Sequence, residues 1–132
     1  MKNMTSKKVK GSEEEKFEEL EVDVLRAMII LHGSAWKPDL YDTISTIWRL
    51  KGLDFHQMIE ASELLPKILD KLDRKGILRS ERRLRGDLSR SEPLEDTLYC
   101  LENERNISEK FSSDHIVLKY RKEIMGYDNL RF

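Results

Sequence analysis

The stretch LDKLDRKGILRSERR, Leu69 to Arg83, changes its period halfway along. Before Gly76 the apolar residues Leu65, Ile68, Leu69 and Leu72 step by three or four, which puts them on one face of a helix. Lys71, Arg74 and Lys75 crowd its last turn, where cations oppose the negative end of the helix dipole, and Gly76 supplies the stop. After the glycine, Leu78, Ser80, Arg82 and Leu84 alternate with Ile77, Arg79, Glu81, Arg83 and Arg85, the period of an extended strand. Turn formers fill residues 86–95, GDLSRSEPLE, and a second strand follows in DTLYCL, Asp96 to Leu101. There Leu98 and Cys100 take one face, and Tyr99 and Leu101 the other. The pattern predicts a helix that stops sharply and runs into a basic hairpin.

Upstream, Ser12 stands three residues before Glu15, a capping-box spacing, and the acidic first turn suits the positive end of a helix dipole. Phe17, Leu20, Val24, Met28 and Leu31 share one face of the helix this predicts, and Gly33 ends it. Residues 1–11 are polar and lysine-rich, lacking the apolar side chains that would offset the entropy of ordering, so a mobile basic tail is expected there. Pro38 and Asp39 open a second helix with Leu40, Ile44, Ile47 and Trp48 on one face and Gly52 behind it. Asp54 and Gln57 repeat the capping spacing. The expectation is a short helical turn over Phe55, Met58 and Ile59, then a fresh start at Ser62, which places Pro66 near the fourth position where its missing N–H costs little. Ser112 to Asp114 cap a last helix in which Val117, Tyr120 and Ile124 align, and Gly126 closes it. The tail 127–132, YDNLRF, carries Tyr127, Leu130 and Phe132, too apolar a set to stay in water, so it should pack on the body or on a second copy.

A chain of 132 residues and 15.6 kDa supports one core, so residues 12–126 are read as one domain between two tails. Charged residues make up 37%, and Gln57 is the single glutamine, a balance that suits a thermophile. Cys100 is the only cysteine, which excludes an intramolecular disulfide or a multi-cysteine zinc site and implies a reducing, cytoplasmic setting. It reads as a small buried hydrophobe. No apolar run follows the N-terminal lysines as a secretory signal requires, and none approaches the length of a membrane span. His32, His56 and His115 lie far apart. There is no glycine-rich phosphate loop, no histidine pair at metal spacing and no nucleophile beside a base, so the reading is of a protein that is not an enzyme and needs no cofactor or metal. The net charge of -1 is unevenly spread. Ser12 to Asp23 holds seven acidic residues against Lys16, whereas Lys67 to Arg90 holds nine basic against four acidic.

Helix, helix, helix, then LDKLDRKGILRSERR, a turn-rich loop and DTLYCLEN is an order that resembles the winged helix-turn-helix. Leu69 to Arg79 is similar to the end of the recognition helix and first wing strand of archaeal and bacterial winged-helix transcriptional regulators, and DTLYCLEN to the returning strand. The resemblance covers element order and residue classes and singles out no subfamily. It implies a mainly α fold with a small β-hairpin wing (α+β). It also implies a recognition helix over about 62–75 entering the major groove of double-stranded DNA, and a wing over about 77–101 gripping the backbone. Lys67, Lys71, Arg74 and Lys75 would then belong to the groove helix, and Arg79, Arg82, Arg83, Arg85 and Arg90 to the wing. Arginine suits the role because its planar fork grips phosphate oxygens in pairs. Such regulators pair into homodimers to read two half-sites, and here the first and last helices with the apolar tail would form the interface, Trp36 and Trp48 serving as core residues or anchors. Glu60 and Glu63 depart from the pattern, standing where groove-facing residues are usually neutral or basic. They keep a second reading open, a winged-helix adaptor that binds protein within a multi-subunit assembly, with the acidic first helix meeting a basic partner.

Overall fold

Gly76 ends its helix through a Schellman turn: its own N–H reaches the Asp73 carbonyl at 3.0 Å, and the Ile77 N–H reaches the Leu72 carbonyl at 3.0 Å. Its φ of 76° is the left-handed value that glycine adopts without penalty. The structure, a computed structural model, describes residues 2–86, 92 and 94–126. In chain order these form helix α1 (Lys2–Ile30), strand β1 (Ser34–Trp36), helices α2 (Lys37–Leu50) and α3 (Phe55–Arg74), strands β2 (Leu78–Arg85) and β3 (Leu94–Leu101), and helices α4 (Glu104–Lys110) and α5 (His115–Glu123). The molecule is thus α+β among the described residues, with an antiparallel sheet of strand order β1-β3-β2.

The register pairs Leu78 with Leu101 and Arg85 with Leu94, so the hairpin is longer and its loop shorter than the turn residues suggest. Alternation puts Leu78, Tyr99, Leu101 and Ala35 on one face, where all four are buried. Ser80, Arg82 and Leu84 continue the same row but are exposed, because the hairpin runs out past the core. Behind the sheet, Val24, Ala27 and Met28 of α1, Leu40, Ile44, Ile47 and Trp48 of α2, Leu65, Ile68 and Leu72 of α3, and Val117 of α5 close a single core.

Several boundaries differ from the expectation. Helix α1 is continuous from Lys2, so Ser12 lies inside it rather than at its start and residues 2–11 are helical. Helix α3 begins at the Asp54–Gln57 capping box and does not restart at Ser62. The Ser62 hydroxyl instead donates to the Met58 carbonyl one turn back at 2.8 Å, so its side chain bonds back along the helix instead of capping a new one. Pro66 is therefore interior, and because it is exposed, water can replace the bond its missing N–H withholds. Ile124 lies just past α5 and is exposed, while Val117 and Tyr120 of the same row are buried. Strand β1 and helix α4 have no counterpart in the pattern reading. The tail 127–132 lies outside the described residues.

A buried polar clamp ties the helices together. Asp23, 1% exposed, accepts from Trp48 Nε1 at 3.2 Å, from Arg26 at 2.7 Å and from Lys51 at 3.0 Å. Burial pushes its carboxyl above the usual range against the pull of Lys51 and Arg26. Arg26 also donates through Nε to both carboxylate oxygens of Asp114 at 3.1 Å, and Asp114 caps α5 by accepting from the Ile116 and Val117 N–H groups. For Asp114, burial would raise the carboxyl, but Arg26 and the two backbone donors hold it below its ordinary value. A depressed folded value stabilises the protein above the unfolded carboxylate range, near 3.9, and that contribution disappears as pH falls through the folded value. Asp114→Asn keeps the cap and removes the charge, so its urea midpoint should depend less on pH below about 4 than the wild type's. Asp114→Ala removes both and should cost a further ~1 kcal/mol at pH 7.

Candidate nucleic-acid interface

The outer side of α3 is a stripe at steps of four and three: His56, Glu60, Glu63, Lys67, Asp70 and Arg74, all exposed. Three carboxylates thus stand among two cations and a histidine. Glu60 lies 2.9 Å from His56, and Arg74 pairs with Asp70 at 3.1 Å. The acidic residues dominate the N-terminal half of the stripe, and Lys67, Arg74 and the adjoining Lys75 the C-terminal half.

The Schellman turn at Gly76 sends the chain from that basic end straight into β2, which brings the hairpin arginines beside it. Ser80 Oγ donates to Asp73 at 3.1 Å and pins the first strand to the helix. Arg82 donates to Glu95 at 3.1 Å and to the Thr97 hydroxyl at 2.9 Å. Arg79 meets Glu102 at 3.1 Å and Glu81 at 3.5 Å, and Arg83 reaches Glu81 at 3.8 Å. All three arginine side chains are more than half exposed. Exposed pairs of this kind contribute about 0–1 kcal/mol each, so they hold the arginines loosely and exchange readily for another anion.

Two of the nine cations singled out from the sequence are engaged differently. Lys71 turns toward α1, where its ammonium lies 2.5 Å from Glu21 and 4.8 Å from the Phe17 ring centre, and the Glu21 hydrogen bond raises its pKa. Its charge is spent on holding α1 to α3. Arg85 is more enclosed than its neighbours, stacked 5.6 Å from the Trp36 ring and paired with Asp96 at 3.3 Å, with its Nε buried and unpartnered. It fastens the hairpin to β1. Of the rest, Lys67, Arg74 and Lys75 are exposed at the C-terminal end of α3, Arg82 shares the hairpin face of Ser80, and Arg79 and Arg83 lie on the opposite face, while Arg90 lies outside the described residues.

The sequence reading missed the Trp36 platform, because only the register of β1 against β3 puts that ring beside Arg85. It also missed two exposed apolar side chains: Phe55 at the start of α3 is 79% exposed and Leu84 on the hairpin 69%. Trp48 is wholly core, and Cys100 is half-buried on the outer face of the sheet. Among the described residues, no helix is long and apolar enough to cross a membrane, and no cluster of three His, Cys, Asp or Glu side chains could hold a metal ion. Compared with known proteins, the chain matches no family model, no curated protein and no solved structure.

Proposed function

We propose that the chain is a winged-helix regulator that binds double-stranded DNA as a homodimer, through the C-terminal half of α3 and the β2–β3 hairpin. The observation that carries the reading is a junction: α3 ends at Gly76 and passes directly into an exposed arginine hairpin, within the element order α1-β1-α2-α3-β2-β3 and with β3 at the centre of the sheet. Six exposed cations, at the C-terminal end of α3 and on the two faces of the hairpin, supply phosphate contacts, and their loosely held carboxylate partners are released when phosphate takes their place. The exposed Leu118, Ile124 and Met125 around the end of α5 supply the apolar part of a dimer contact.

Combined replacement of Arg79, Arg82 and Arg83 by alanine tests the reading. Affinity for mixed-sequence duplex should fall roughly 10- to 100-fold at fixed salt, and the slope of log K against log salt should shrink by about 2–3, with the far-ultraviolet spectrum unchanged. Unchanged affinity would remove the hairpin from the interface. A second reading, a protein-binding adaptor, is favoured by Glu60, Glu63 and Asp70 on the outer stripe, since carboxylates facing phosphates are repelled. It gains if the wild-type chain fails to bind duplex at all.

A further inference from the structure

Helices α1 and α3 are drawn together at the C-terminal half of α3, where Lys71 meets Phe17 and Glu21. Toward the start of α3 they part, leaving a cleft of about 220 Å³ that the α2–α3 turn closes from below. Its floor is apolar, made by Leu20 of α1, Leu53 of the turn and Ala61 and Leu64 of α3, with Lys16 and Glu19 of α1 on one side and Glu60 of α3 on the other. The volume is below the roughly 300–1,000 Å³ of pockets that enclose a small ligand. It suits one or two apolar side chains delivered by an element lying along the cleft, and with helical walls on both sides a third helix fits best.

Charge selects which helix. Lys51 at the back is already matched by Glu19 at 2.5 Å and Asp23 at 3.0 Å, and Lys51 holds the Glu19 carboxyl below its usual range. Glu60 pairs with the His56 imidazole at 2.9 Å, which carries charge only when protonated, and shares the cleft with Lys16 of α1. Glu63 follows exposed on the same helix, so the charged lining residues, Lys16 and Lys51 against Glu19, Asp23 and Glu60, leave the cleft and its α3 rim acidic. An incoming helix must therefore be basic on its polar face.

We propose that the cleft between α1 and the N-terminal half of α3 docks a basic amphipathic helix of a partner protein. The site lies at the acidic end of α3, opposite in charge to the end assigned to DNA, and it stands whether or not the hairpin binds DNA. It gives Glu60 and Glu63 a role that a groove helix does not.

The test uses the full chain and a fluorescein-labelled peptide of leucine and lysine, about five helical turns long with leucine on one face. A peptide of equal composition in scrambled order is the control. The proposal predicts saturable one-to-one binding by anisotropy, at least about ten-fold weaker binding of the scrambled peptide, and a similar loss in Glu60→Lys/Glu63→Lys. Both substitutions are exposed and leave the core intact, whereas Arg82→Ala/Arg83→Ala should bind the peptide like the wild type. Equal affinity for the scrambled peptide, undiminished binding by Glu60→Lys/Glu63→Lys, or no saturable binding would overturn it. So would a concentration-dependent dimer that Glu60→Lys/Glu63→Lys abolishes, since a second copy would then fill the cleft.

Discussion

Asp23→Ala is expected to lose about 3–5 kcal/mol of stability, the scale for removing one member of a buried ion network. Three donors from two helices and the turn after α2 converge on this carboxylate: Arg26, Trp48 and Lys51. Alanine leaves the Trp48 indole N–H without its acceptor in the core and strips two cations of their shared anion. Arg26 keeps Glu19 and Asp114, which limits the loss for that cation but not for the indole. The thermal midpoint should drop by about 10–20 °C. Glu19→Ala on the rim, half exposed, should cost below about 1 kcal/mol. Urea denaturation of both variants decides the matter. If Asp23→Ala costs no more than Glu19→Ala, the clamp is not what locks α1 to α2.

Trp48→Ala should cost a comparable ~3–5 kcal/mol, because an indole that is 1% exposed leaves a large cavity among Ile44, Ile47 and Met28 of the same core. Trp48→Phe separates the two parts of that cost, since it keeps most of the ring and removes the donor to Asp23. Combined in a cycle with Asp23→Ala, it should show a coupling of about 0.5–3 kcal/mol. Strict additivity would mean that the 3.2 Å bond contributes nothing.

Much of this architecture is legible because its signals are local. The four helix stops at Gly33, Gly52, Gly76 and Gly126 all adopt positive φ, and the Asp54–Gln57 capping box forms with both of its bonds. The change of period at Gly76 places the hairpin within a few residues. What was not legible depends on distant partners. Strand β1 is three residues long and exists only through its register with Leu98 to Cys100. Helix α4 buries none of its residues, so it has no apolar stripe to read. Asp23 is one more acid in an acidic run until the fold brings Trp48 and Lys51 to it.

The same limit governs the candidate interface. Composition picked out the cations but could not tell that Lys71 faces Glu21 or that Arg85 stacks on Trp36, since Glu21 lies fifty residues from Lys71 in sequence. Glu60 and Glu63 were visible as a departure from the pattern. Their exposure on the outer side of α3 turns that departure into a surface, and the surface into a proposed partner site.

The central claim is that the exposed cations of α3 and the hairpin bind phosphate, and a salt titration of the wild-type chain with mixed-sequence duplex tests it most directly. Binding measured between about 50 and 200 mM salt should weaken with a log–log slope of roughly -4 to -5, the value for four to six neutralised phosphates. A slope near zero, or no binding at the lowest salt, would contradict the claim and leave the protein-binding reading in its place.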